Sequence, residues 1–185
     1  MQLGIYLLTV VLLACSTSAS NEENHDIPSR PGNVAPDFTL KDADDQVHSL
    51  KKLRGKVIFL IMGNRKIRKE DDKWASAFQK DYEGNDRIRA YIIADMRSVP
   101  GFVPKGFIKK QLKKNKPPVT LLLDWKGEAH KAYRTRKEKP NLYVANPEGK
   151  IAFHMKANFD KKIYQQLKAA IENEMEEVRK REEIK

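Results

Sequence analysis

The sequence predicts an α/β sandwich, a central mixed β-sheet flanked by helices. Three observations carry this expectation. Val57–Met62 is apolar without a break, the pattern of a strand covered on both faces. Further apolar strands follow, separated by segments with helical spacing. The chain then closes with two strands joined by "NPEGK", a hairpin signal, and a long terminal helix.

Taken in order, order begins near Val34, and "DFTLKDADDQVHSL" gives two short strands around an Asp-rich turn. Leu53-Arg54-Gly55 leads into the Val57–Met62 strand. Glu70–Tyr82 has acids in its first turn and Trp74, Ala77 and Phe78 at helical spacing, so an amphipathic helix is expected there. Arg87–Ala94 is a strand, "DMRSVPGFVPKG" a loop, and Phe107–Lys114 a short basic helix. Val119–Leu123 is a strand ending at Asp124, and Gly127–Tyr133 forms a short helix. Leu142–Ala145 and Ile151–Met155 form the hairpin. Asp160 opens the last helix, which buries Ile163, Leu167, Ala170, Ile171 and Met175. Beyond Glu174 this helix is charged and is expected to project into water. The order is β β β α β α β α β β α.

The 185 residues suit one domain with terminal extensions: 1–15, 16–32, 33–172 and 173–185. Gln2–Ala14 is almost wholly apolar, too short to span a membrane comfortably, and reads as the hydrophobic part of a secretory signal peptide. "LLAC" ending at Cys15 resembles the lipobox of bacterial lipoproteins, in which the cysteine is acylated and anchors the protein to a membrane. The alternative is a signal cleaved near Ala19 or Ser20. Ser16 to about Pro31 reads as a flexible tether. Cys15 is the only cysteine, so the folded part has no disulfide and no internal redox pair.

The chain carries 36 Lys and Arg against 25 Asp and Glu, a net charge of +11. The segment from Glu172 to Lys185 is net acidic, so the surplus lies in the body and favours anionic partners. Export makes nucleic acid an unexpected partner. His25, His48, His130 and His154 show no ligand spacing, so no metal site and no cofactor are expected. His154 reads as a surface or edge residue of its strand. "DADD" at Asp42–Asp45 lacks the glycine and later Glu of a calcium loop and reads as a turn. Trp74 reads as core and Trp125 as a surface-turn residue. Lys105, Lys109, Lys110, Lys113, Lys114 and Lys116 form a lysine helix. With Phe102, Phe107, Ile108 and Leu112 it suits an anionic membrane, although packing of those apolar residues on the sheet is the simpler expectation.

"GNVAPDFTLKDADDQVHSLKKLRGKVIFL" resembles the opening of the redoxin branch of the thioredoxin fold, with its "G-x-x-A-P-D-F-x-L" stretch followed by "L-x-G-K". "VTLLLDWKGEAHKAYRT" and "KPNLYVANPEGKIAFHMKANFD" are similar to its later segments, with Pro140 at the cis-proline position. The resemblance runs from about Gly32 to Ile171. "GNRKIRKED" and "IIADMRSVPGFVPKGFIKKQLKKN" more closely resemble the YtfJ-like periplasmic proteins, redoxin relatives without the redox cysteines. The resemblance implies a thioredoxin-like sandwich in the periplasm or cell envelope.

Redoxins place a reactive cysteine near where Ile67–Glu70 lie here. A helix N-terminus and nearby cations lower such a thiol's pKa. This chain keeps the cations and lacks the sulfur, and no Ser or Thr replaces it. Thiol-dependent reductase or peroxidase activity is therefore not expected, and no catalytic residue is assigned. The thioredoxin fold brings two loops together at one pole: Arg65, Lys66, Arg68 and Lys69 in the first, and Arg134, Arg136, Lys137 and Lys139 before Pro140 in the second. Cations next to a helix N-terminus make a candidate anion or partner site, weighed against a merely solvated basic surface. An enzyme using non-thiol groups, with Asp95 or Asp124 as base, is the alternative, as is a degenerate thiol oxidoreductase acting with a partner.

Overall fold

A computed structural model describes residues 30–183. Its strands are β1 (Thr39–Lys41), β2 (Val47–Ser49), β3 (Val57–Asn64), β4 (Ile88–Asp95), β5 (Thr120–Asp124), β6 (Asn141–Ala145) and β7 (Ile151–Lys156). The helices are α1 (Arg68–Tyr82), α2 (Lys105–Lys114), α3 (Glu128–Ala132) and α4 (Lys161–Glu183). The element order is the expected one, with two 3₁₀ turns in addition, at Leu50–Leu53 and Arg65–Ile67.

The seven strands form one mixed sheet in the order β2-β1-β5-β4-β3-β6-β7. β3, β4 and β5 run parallel, β6 pairs antiparallel with β3, and β7 pairs antiparallel with β6. β3 sits inside this sheet, with Val57–Gly63 buried, which is why its sequence is unbroken by polar residues. Period-2 alternation then divides the core. Val57, Phe59 and Ile61 pack with Trp74 and Phe78 of α1 and Leu167 of α4. Ile58, Leu60 and Met62 pack on the opposite face with Ala129 and Tyr133 of the α3 region. Two core aromatics also tie elements together through backbone carbonyls. Trp74 Nε1 donates to Ala157 O (3.2 Å), and the Tyr164 hydroxyl donates to Ala77 O (3.0 Å).

Gly32 N donates to Ile151 O, tying the segment just before Val34 to the start of β7. Four expectations need correction. The end of α4 does not project free: Val178 is buried, Arg87 pairs with Glu182 (3.1 Å), and Arg181 meets Glu148. The helix returns a valine to the core at the spacing set by Leu167 and Ile171, and the charges beside it find partners. On α2, Ile108 and Leu112 turn inward, four residues apart, but Phe107 is off that stripe and 56% exposed, and Phe102 is 85% exposed. Trp125 is partly buried against the core, with Lys105 Nζ 5.0 Å from its ring centre. No cis peptide bond occurs among the described residues, so Lys139–Pro140 is trans. Here the turn before Pro140 is held by Asn141, whose Nδ2 donates to Arg136 O (2.7 Å) and Lys139 O (3.1 Å).

The Asp-rich turn is explained by its neighbours. Asp42 Oδ1 caps the backbone of Asp44 and Gln46. Asp44 and Asp45 pair with Lys113 (2.6 Å) and Lys109 (2.5 Å) of α2. No helix among the described residues is long and apolar enough to cross a membrane. Cys15, the signal segment and most of the tether lie outside the described residues.

Candidate functional site

β3, β4 and β5 end in register: Asn64 lies beside Asp95, and Asp95 beside Asp124. This is the carboxyl end of the parallel strands, where α/β folds place ligands. Asn64 also starts the turn into α1. Its Oδ1 accepts from Lys66 N (2.9 Å), and its Nδ2 donates to Lys137 O (2.9 Å), joining the two basic loops directly.

The candidate cations are not equivalent. Arg65, Lys66 and Lys69 are exposed, whereas Arg68 is half-buried and its Nε donates to Asp72 Oδ1 (2.7 Å). In the second loop Arg134, Arg136, Lys137 and Lys139 are exposed, and Pro140 is buried. Arg134 adopts a positive φ of 49°. Arg65 and Arg68 border a cavity of about 220 Å³ between the start of α1 and α2, whereas Lys66, Lys69 and the second-loop residues do not line it. Asn64 and Asp71 also line it, and its remaining walls are apolar, including Val99, Val103, Ile108 and Leu112. A larger groove of about 660 Å³ lies at the opposite end of the sheet, near Tyr82 and Lys116, away from the carboxyl ends of the strands.

Two carboxylates at this pole are fully engaged. Asp95 takes Arg97 N and Nε on Oδ1 and Arg97 Nη2 on Oδ2 (2.7 Å). Asp124 accepts from Glu128 N and His130 N, and its Oδ2 lies 2.9 Å from His130 Nδ1. His130 Nε2 in turn lies 3.1 Å from Gly63 O. Both ring nitrogens face acceptors, so both bonds form together only when the ring carries two protons. Burial pushes Asp95 and Asp124 up. The hydrogen bonds from Arg97 and His130 outweigh it and hold both below the usual carboxylate value. Both serve here as structural hydrogen-bond acceptors.

A third carboxyl, unassigned by the sequence reading, behaves oppositely. Asp71 is 1% exposed, its Oδ1 has no hydrogen-bond partner, and it lines the cavity. Burial pushes its pKa up to about 8, against an opposing pull from Arg68 and with reinforcement from Asp72 and Glu70. It packs on Gly63, where an added Cβ would come within 2.0 Å of Asp71 Oδ2. The signal was present: Asp71, Trp74, Ala75 and Phe78 share the buried stripe of α1. A carboxylate on an apolar stripe is the anomaly to look for. His130 was likewise readable as a polar residue beside Ala129 and Tyr133 on the buried side of α3.

His154 sits on the edge strand β7, as expected, but stacks on Tyr143 with ring centres 4.3 Å apart. Burial, and then Lys156, lower its pKa. No group of three or more His, Cys, Asp or Glu that suits a metal ion occurs among the described residues.

Solved structures resemble this chain closely in fold. A protein assigned as the thiol:disulfide interchange protein DsbE from Chlorobium tepidum matches with a TM-score of 0.62 and 19% identity, covering 77% of this chain and 95% of its own. The exposed lipoprotein thioredoxin of Streptococcus pneumoniae matches with a TM-score of 0.57 and 20% identity, covering 72% and 99%. StoA from Bacillus subtilis matches with a TM-score of 0.57 and 19% identity, covering 74% and 97%. At these identities the likeness is one of fold. No curated protein sequence matches the chain. The sequence model of the AhpC/TSA family matches residues 31–154, two thirds of the chain, and the protein therefore belongs to the AhpC/TSA family, with a thioredoxin-like fold.

Proposed function

We propose that this protein is a non-redox member of the family, of the YtfJ-like kind. In this reading it works in the bacterial cell envelope and binds an anionic ligand or partner at the pole where relatives carry a thiol. The carrying observation is the junction after β3. It keeps the helix start and the flanking cations of a redoxin site but has no cysteine, and Asn64 ties its two basic loops together. The clamping of Asp95 and Asp124 counts against the enzymatic alternative. Export and anchoring through acylated Cys15 are supported by the lipobox-like "LLAC". Fractionation of Cys15→Ser tests the anchor: release from membranes is expected. A wild-type protein that is itself soluble and starts near Ser20 contradicts it.

Eight cations and one acid, Glu138, occupy residues 65–69 and 134–139. Their mutual repulsion opposes folding, and a bound anion relieves it. Phosphate or sulfate should therefore raise the melting temperature beyond chloride at matched ionic strength, by binding the folded state. A charge-assisted contact contributes about 1.5–3 kcal/mol when shielded and much less when exposed. Arg65→Glu with Lys137→Glu should abolish the effect, and Lys110→Glu with Lys114→Glu on α2 should not. Equal loss in both pairs would reduce the effect to net charge. The purified protein should also neither reduce insulin disulfides nor consume peroxide with a thiol donor.

A further inference from the structure

The cavity beside α1 has a composition that selects its occupant. At about 220 Å³ it exceeds the ~150 Å³ apolar cavities that hold a benzene ring. Its polar side groups are Asn64, Arg65, Arg68 and Asp71, and the remaining walls are apolar. Arg68 and Asp71 are three residues apart on α1 and therefore share a helix face. A buried carboxyl oxygen without a partner costs about 1–3 kcal/mol, and folded proteins retain few. Asp71 Oδ1 is such a group, and Asp71 is one of the residues that line the cavity.

We propose that this cavity binds a small amphipathic carboxylate, with its alkyl or aryl end between Val103, Ile108 and Leu112 and its charged head shared by Arg65, Arg68 and Asp71. The inference rests on the reading of the pole as an anion site and names the class of anion. A carboxylate ligand meets each polar group with the right partner. Asp71, with its pKa pushed to about 8, is protonated at neutral pH and offers an O–H donor. Arg65 and Arg68 offer N–H donors and positive charge. Arg68 is partly neutralised by Asp72, which suits a single negative charge. The charged groups acting on Asp71 come from α1 itself: Arg68, Asp72 and Glu70. The residues across the cavity, Ala94 of β4, Met96 just after it, and Ile108 and Leu112 of α2, are uncharged.

The test is calorimetric titration of the full chain with octanoate, octanol and inorganic phosphate. Octanoate should bind at pH 6.5 at least tenfold more tightly than either control, because octanol lacks the charge and phosphate lacks the tail. Val103→Trp should fill the cavity and remove octanoate binding. Arg65→Ser, at an exposed position that leaves the core untouched, should weaken it severalfold. Raising the pH from 6.5 to 9.5 should weaken octanoate binding as Asp71 loses its proton. Asp71→Asn, which keeps a neutral donor, should bind with a flat pH profile. Octanoate binding that is matched by octanol or by phosphate, or that persists in Val103→Trp, overturns the inference. If octanoate fails while phosphate still raises the melting temperature, this inference falls and the anion site stands. If neither acts, both fall.

Discussion

Two sides of one glycine show how the same residue type is used in opposite ways. On the α3 face of the sheet, Asp95 and Asp124 are buried and saturated with donors from Arg97, His130 and the backbone. On the α1 face, across Gly63, Asp71 is equally buried, with Oδ1 left unpartnered and an apolar cavity beside it. The first arrangement makes charge tolerable inside a protein by supplying partners. The second makes it intolerable, so the proton stays. Structure is the office of the first pair. The unsatisfied group marks where chemistry from outside can be received.

Breaking the saturated side should have the largest effect. Asp124→Ala leaves the His130 ring and two backbone N–H groups without their acceptor, and a loss of about 3–5 kcal/mol in denaturant unfolding is expected. Loss near zero would mean that the network is water-filled rather than buried.

The opposite sign is expected from Asp71→Asn, which should stabilise by about 1–3 kcal/mol at pH 8 and by little at pH 4. The sign follows from its ordinary value of 3.8 against about 8 in the fold. Between these pH values the unfolded chain gives up the proton and the folded chain keeps it. Stability therefore falls as pH rises from about 4 to about 8, and is flat above. Asp95 and Asp124 contribute the reverse, a stabilisation present above 3.8 that is lost as pH falls through their lowered folded values. Unfolding curves across pH separate the two slopes.

A coupled pair sharpens the contact between the two sides. Gly63→Ala should cost about 1–3 kcal/mol, because the new methyl meets the Asp71 carboxyl. Adding Asp71→Ala should recover part of this, and strict additivity would deny the contact. The smallest effect belongs to the surface. Lys113→Ala breaks an exposed, solvent-screened pair with Asp44 and should change the same assay least.

The fold was legible because its signals are local: the apolar run of β3, the "NPEGK" hairpin and the Asp160 cap, whose Oδ1 accepts from Lys162 N and Ile163 N. The end of α4 was misread because Val178 gains its burial from a surface that charge density in sequence does not reveal. The basic loops were visible as composition. Which cations border the cavity was not, since that depends on how the Arg65–Ile67 turn aims Arg65 and Arg68 toward α2. Asp71 was overlooked for a related reason. Next to Glu70 and Asp72 it looks like one more first-turn acid, and only its spacing of three and four residues to Trp74 and Ala75 on the apolar stripe sets it apart.

The amphipathic-carboxylate inference turns on the protonation of Asp71 at the cavity wall, which is directly measurable. A pH titration of the carboxyl ¹³C shift of Asp71 in the folded protein, assigned by comparison with Asp71→Asn, should give a midpoint near 8. A midpoint near the ordinary 3.8 would show a hydrated, charged carboxylate and a pole unable to offer its O–H to a ligand.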